Sequence, residues 1–164
     1  MAENIQMIKA EGKEMEFTRL FHAPRELVWK AYSEAEHLAR WWGPKGCTAD
    51  PCTVDFRPGG VWHYRLLFDG GESWGKAVYQ QIVAPERIVY LDSFSDAEAN
   101  SYPPEMRISL TFTDQGAKTL LHSHGTFASE EDLQTVMGMG VVEGIGTTMD
   151  CLDEYLEQMA AVSR

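Results

Sequence analysis

Between Cys47 and Phe127 the chain alternates apolar and polar residues with period two, punctuated by turns and never by a helical repeat. No other stretch limits the possible folds as much. Parallel strands need long crossovers, usually helical, so segments joined this closely must pair as antiparallel neighbours. VWHYRLLF, after the turn RPGG, puts Trp62, Tyr64, Leu66 and Phe68 on one face, with Val61, His63, Arg65 and Leu67 opposite. Asp69 to Gly71 reads as a hairpin turn. SWGKAVYQQIVAPERIVYLDSF reads as two more strands joined at Ala84-Pro85-Glu86, and the polar, Pro-rich Asp96 to Pro104 as a loop. MRISLTFTDQGAKTLLHSHGTF makes a hairpin through Asp114-Gln115-Gly116.

Helical patterns flank this block. Residues 1–13 read as a tail or the approach to an edge strand, with Gly12 as punctuation. Glu14 to Ala23 is a strand with Met15, Phe17 and Phe21 on one side, and Pro24 suits the first turn of a helix. Apolar residues from Leu27 to Trp42 then recur at helical spacing. Ser33 with Glu36 three residues on is a capping-box signature, which predicts a break near Ser33 and a second short helix stopped by Gly43-Pro44. After the sheet, Ser129 with Asp132 at the third position after it starts a helix predicted to run to about Ala161. The whole is an α+β chain, with one domain over 14–162.

The composition excludes some partners. Lys and Arg number 14 against 25 Asp and Glu, a formal net charge of −11, so no basic face is available for nucleic acid. No apolar run approaches a membrane span, and the N-terminus lacks the layout of a secretory signal. Cys47, Cys52 and Cys151 are odd in number, lack C-x-x-C spacing and have nothing basic arranged beside them. A cytoplasmic protein with free thiols is expected.

APRELVWKAYSEAEHLARWWGP (Ala23 to Pro44), VDFRPGG with Trp62, VYQQIVAPERIVYLD (Val78 to Asp92) and MGVVEGIGTTMDCLDEYL (Met139 to Leu156) stand in an order that carries a resemblance. Together they resemble the START-like, birch-pollen-allergen-like (SRPBCC) superfamily, and most closely the proteins similar to the C-terminal domain of the activator of the 90-kDa heat-shock protein ATPase. The resemblance implies a helix-grip fold: a curved antiparallel sheet wrapped around a long C-terminal helix, with two short helices after the first strand. It also implies a cavity between sheet and helix, where a small hydrophobic molecule would bind. The family often has an aromatic directly after the helix glycine, where this chain has Ile145.

The residues bear on that cavity independently. Gly138, Gly140, Gly144 and Gly146 fall in the predicted helix, and each costs about 1 kcal/mol relative to alanine in a helix interior. Either a strand packs tightly against the backbone there, or the missing side chains leave room for a guest. The expected wall comprises Trp62, Tyr64, Ile108, Leu110 and Phe112 of the sheet, joined by Trp74, Tyr79 and Tyr90, with Met137, Gly140, Glu143, Gly144 and Met149 from the helix. Adjacent helical residues differ by about 100°. Trp41 therefore continues the stripe of Tyr32 and Leu38, and Trp42 is expected to line one end of the cavity.

Catalytic and metal signals are sparse. Glu143, in the glycine-rich segment, is the one catalytic candidate, since burial would raise its pKa. Asp55 and Arg57 read as a pair bracing a turn. His63, His122 and His124 share the outer sheet face, where no Cys or carboxylate obviously joins them, so no metal is expected. No cofactor motif is present. The function expected is non-catalytic binding of a small hydrophobic molecule. A polyketide-cyclase- or hydrolase-like enzyme using the same cavity and a chaperone-ATPase-interacting stress protein are the alternatives. The resemblance and the free strand edge of such a sheet make a homodimer an expectation.

Overall fold

The computed structural model describes residues 6–162. Eight strands form one curved antiparallel sheet in the order β1-β2-β8-β7-β6-β5-β4-β3. β1 (Gln6–Glu11) and β2 (Glu14–Phe21) precede the helices α1 (Arg25–Ser33) and α2 (Ala35–Trp41). Then come β3 (Thr48–Val54), β4 (Val61–Phe68), β5 (Gly71–Val83), β6 (Arg87–Ser95), β7 (Ser101–Gln115) and β8 (Lys118–Phe127). The chain ends in α3 (Glu130–Gly138) and α4 (Val141–Val162). Consecutive strands from β3 to β8 are neighbours, and β8 then closes on β2, with Phe17 opposite Ser123. No helix is long and apolar enough to cross a membrane among the described residues.

One open expectation is narrowed and three are corrected. Residues 6–11 are an edge strand, turned by Gly12 into β2, so the sheet begins inside the expected tail. The capping box does not form: Glu34, extended at φ −117°, separates α1 from α2, leaving Ser33 as the last residue of α1. The expected loop from Asp96 to Pro104 shrinks to residues 96–100. Asp96 accepts from the backbone of Glu98 and Asn100, from Asn100 Nδ2 and from the Tyr102 hydroxyl, which lets β7 begin at Ser101. Those donors hold the Asp96 carboxyl down at about 2. Finally, the C-terminal helix is two helices. Ser129 caps α3 through the Asp132 amide at 3.1 Å, but Gly140, at φ +79°, turns the chain before α4. Only Gly144 and Gly146 lie within α4.

The core lies between the inner sheet face and the helices. Trp41 is buried and donates its indole N–H to the Ala31 carbonyl at 3.0 Å, locking α2 onto α1. Tyr32 sits edge-on to Trp41 and to Phe112 of β7. α4 is held to the sheet by Leu152 and Leu156, and by Arg19 of β2, which reaches Asp150 at 3.1 Å and Asp153 at 3.6 Å. Its Tyr155 hydroxyl is hydrogen-bonded to His37 of α2.

Candidate functional site

A pocket of about 460 Å³ separates the inner sheet face from the first half of α4. Strand parity selects its floor: Tyr64 of β4, Tyr90 and Asp92 of β6, Ile108 and Leu110 of β7, and Ser123 and Gly125 of β8 all point the same way. Its roof is Val141, Gly144, Ile145, Thr148 and Met149, the i, i+3, i+4, i+7, i+8 stripe of α4. The turn after α2 closes one side. A Cβ on Gly43 would come within 2.9 Å of Leu66 Cδ2, and one on Gly144 would stand 3.7 Å from Pro44 Cγ. Gly75 makes room for Tyr64, since a Cβ there would lie 2.3 Å from the ring. Met139, beside the α3–α4 turn, both lines the pocket and is exposed, so the pocket opens there.

The wall is apolar apart from a few groups. Thr148 turns its hydroxyl back to the Gly144 carbonyl at 2.7 Å. Asp92 is the one carboxylate, and the described wall contains no Lys, Arg or His. Asp92 is half-buried on the pocket floor. Loss of hydration raises its pKa to about 7, against a smaller opposing effect of the Ser93 backbone. Burial likewise drives the Tyr64 and Tyr90 hydroxyls well above the ordinary range, and the neighbouring Asp92 charge adds to both. Trp42's indole N–H influences Tyr64, but it lies outside hydrogen-bonding geometry and is buried without a partner among the described residues.

The expected wall residues divide into two groups. Trp42, Tyr64, Tyr90, Ile108, Leu110, Gly140, Gly144 and Met149 meet at the pocket. The other six do not reach it. Trp62 is buried beneath Trp42, with ring centroids 4.5 Å apart. Tyr79 packs on Phe56, and Phe112 is wedged between Trp29 and Tyr32. Met137 belongs to a satellite cluster with Met15 and Leu133. Trp74 lies on the outer face, stacked on His63 and donating to Glu72 at 2.8 Å. Parity alone separates Trp74 from Tyr79, because residues five apart on a strand face opposite ways. Glu143 is exposed, being one step off the roof stripe, and does not supply an acid to the pocket.

Asp92 was missed, although it follows from placing Tyr90 inward, two residues before it on the same strand. Tyr32, Phe17 and Met15 were also missed as wall residues. The histidines do not converge. His122 is bonded to Glu16 and His124 to Glu14 at 2.8 Å, so carboxylates of β2 do join two of them, while His63 contacts the Asp96 carbonyl on β4's side of the sheet. Arg57 Nε donates to both Asp55 oxygens, at 3.0 and 2.8 Å, on the surface. Among the described residues, Glu34, Glu36 and His37 bring possible ligand atoms within 4.8 Å of one another, with Glu36 exposed. The three cysteines are free.

Known proteins match this architecture. A solution structure from Arthrobacter aurescens superimposes with a TM-score of 0.85 at 24% identity, covering 96% of this chain and 93% of its own. The crystal structure of protein Ms6760 from Mycobacterium smegmatis gives 0.80 at 30% identity, covering 92% and 95%. A solution structure from Staphylococcus epidermidis gives 0.78 at 32%, covering 93% and 94%. No curated protein matches the sequence. The sequence model described as "Activator of Hsp90 ATPase homolog 1-like protein" matches residues 22–157, so the chain belongs to that family, within the START-like (SRPBCC) superfamily.

Proposed function

We propose that this protein binds a small, largely apolar molecule in the space between α4 and the sheet. The supporting observation is the pocket itself. Its volume of about 460 Å³ falls in the range of roughly 300–1,000 Å³ usual for small-molecule sites, and an apolar wall carrying a few polar groups is their usual make-up. Folds of this superfamily commonly bind hydrophobic ligands, which agrees with the reading. Two features make the space adaptable: Met15, Met106, Met139 and Met149 are unbranched and polarizable, and the roof carries no bulk at Gly144.

Thermal shift against a panel of lipids, aromatics and polyketides is the test. Stabilisation should grow with ligand concentration, as linkage requires for a ligand that binds only the folded state. Gly144→Leu should abolish the response while the protein stays folded, because the added side chain enters the pocket beside Pro44. A flat response across the panel would overturn the proposal.

A further inference from the structure

We infer that the pocket selects apolar molecules carrying a protonated amine, with the Asp92 carboxylate as the counter-ion and the surrounding aromatic rings as the second contact. This rests on the binding role proposed above and narrows it to hydrophobic organic cations. Three observations converge. Asp92 is the one carboxylate in the described wall, on the inward face of β6 between Ala77 and Met106 of the neighbouring strands. Ala77 and Met106 are uncharged, and no basic side chain lines the pocket among the described residues, so the wall offers the carboxylate no counter-cation. Finally, Tyr64, Tyr90, Trp42 and Tyr32 present rings to the same space. Aromatic faces attract ammonium groups by their quadrupole, most strongly where water is excluded.

The titratable groups facing Asp92 are few. β4 contributes Tyr64 and β6 contributes Tyr90, with Tyr32 of α1 completing the set. The wall residues from β2, β5, β7, β8, α3 and α4 are Met, Phe, Ser, Ile, Leu, Gly, Val and Thr, none of which titrates. Below about pH 7 the carboxyl holds a proton in the free protein. Binding of an ammonium displaces that proton to solvent, leaving a carboxylate–ammonium pair. Amine affinity therefore rises with pH through neutrality, up to the point where the amine itself loses its charge.

Two matched pairs provide the probes: 1-naphthylmethylamine with 1-naphthylmethanol, and octylamine with octanol. Titration calorimetry on the intact protein should show each amine binding at least tenfold tighter than its alcohol at pH 8. Amine affinity should fall at least tenfold from pH 8 to pH 5.5, with the alcohol unchanged. Asp92→Asn should remove the amine's advantage, bringing amine and alcohol affinities within about threefold of each other. Equal affinity for amine and alcohol in the wild-type protein would overturn the inference while leaving the pocket a binding site. An amine preference that survives Asp92→Asn would also overturn it, assigning the preference to the overall charge of −11. If that variant fails to fold, the wild-type amine–alcohol difference and its pH profile decide the matter. If none of the four probes binds, the inference falls, and the broader panel separately decides whether the pocket binds anything.

Discussion

The two halves of α4 lie over the same sheet and meet it in different ways. From Leu152 onward the helix is solidly packed: Leu152, Leu156 and Met159 are buried in a core that also contains Tyr32, Trp41 and Phe112. Before Met149 it spans a pocket, offering Gly144 and Thr148 toward Ser123 and Gly125 of β8. Both halves are apolar on the inner side. What differs is side-chain volume, on the helix and on the strands opposite. Close-packed interiors leave few voids larger than a water molecule. On the open side α4 contributes Gly144 and Thr148 to the space, whereas past Met149 its Leu152, Leu156 and Met159 fill it against a core that includes Tyr32 and Trp41.

Truncation on the packed side should have the largest effect. Leu152→Ala should cost roughly 2–5 kcal/mol in denaturant unfolding, since a fully buried leucine leaves a cavity that tight surroundings cannot collapse into. A much smaller loss would mean that this half is also loose, and the contrast would fail. On the open side the main energetic liability is Asp92. Its carboxyl titrates near 7 in the folded protein against an ordinary value of 3.8, so between those values the folded state holds a proton that the unfolded chain has released. Stability should thus fall as pH rises from about 4 to about 7 and stay low above that. Asp92→Asn should flatten this slope and gain roughly 1–4 kcal/mol at pH 8, with little change at pH 4. Thermal unfolding of both proteins across that range measures it. The smallest effect is expected at Gly144. Gly144→Ala should be neutral or stabilising by up to about 1 kcal/mol, because the new methyl meets only Pro44, at ordinary contact distance, and helix propensity improves. A clear destabilisation would show that the roof packs tighter than its geometry implies.

The sheet was legible because its signal is local. Trp62, Tyr64 and Leu66 declare an inward face every second residue, and the turns between strands are short enough to enforce antiparallel pairing. The chain reversal at Gly140 was not legible, since a glycine tolerated inside a helix and one that ends it look alike until its φ is known. The site was half legible. Residues placed by parity with a secure neighbour, such as Tyr64, Ile108 and Leu110, fell in the wall. Trp62, Tyr79 and Phe112 share that face but pack instead on Trp42, Phe56 and Trp29, and position along a groove is a tertiary property. Acidic residues are mostly exposed, but parity with Tyr90 places Asp92, three residues before the end of β6, on the inward face.

Arg19 stands on the border between the two halves. Its grip on Asp150 and Asp153 fixes the helix immediately past Met149, and Tyr155 ties the next turn to α2. The preceding segment, from Val141, leaves the Gly140 turn and packs through Val142 and Ile145 while Gly144 and Thr148 roof the pocket. One helix is thus seated in two ways, by ion pairs and leucines at its far end and by a glycine turn with a few branched side chains at its start.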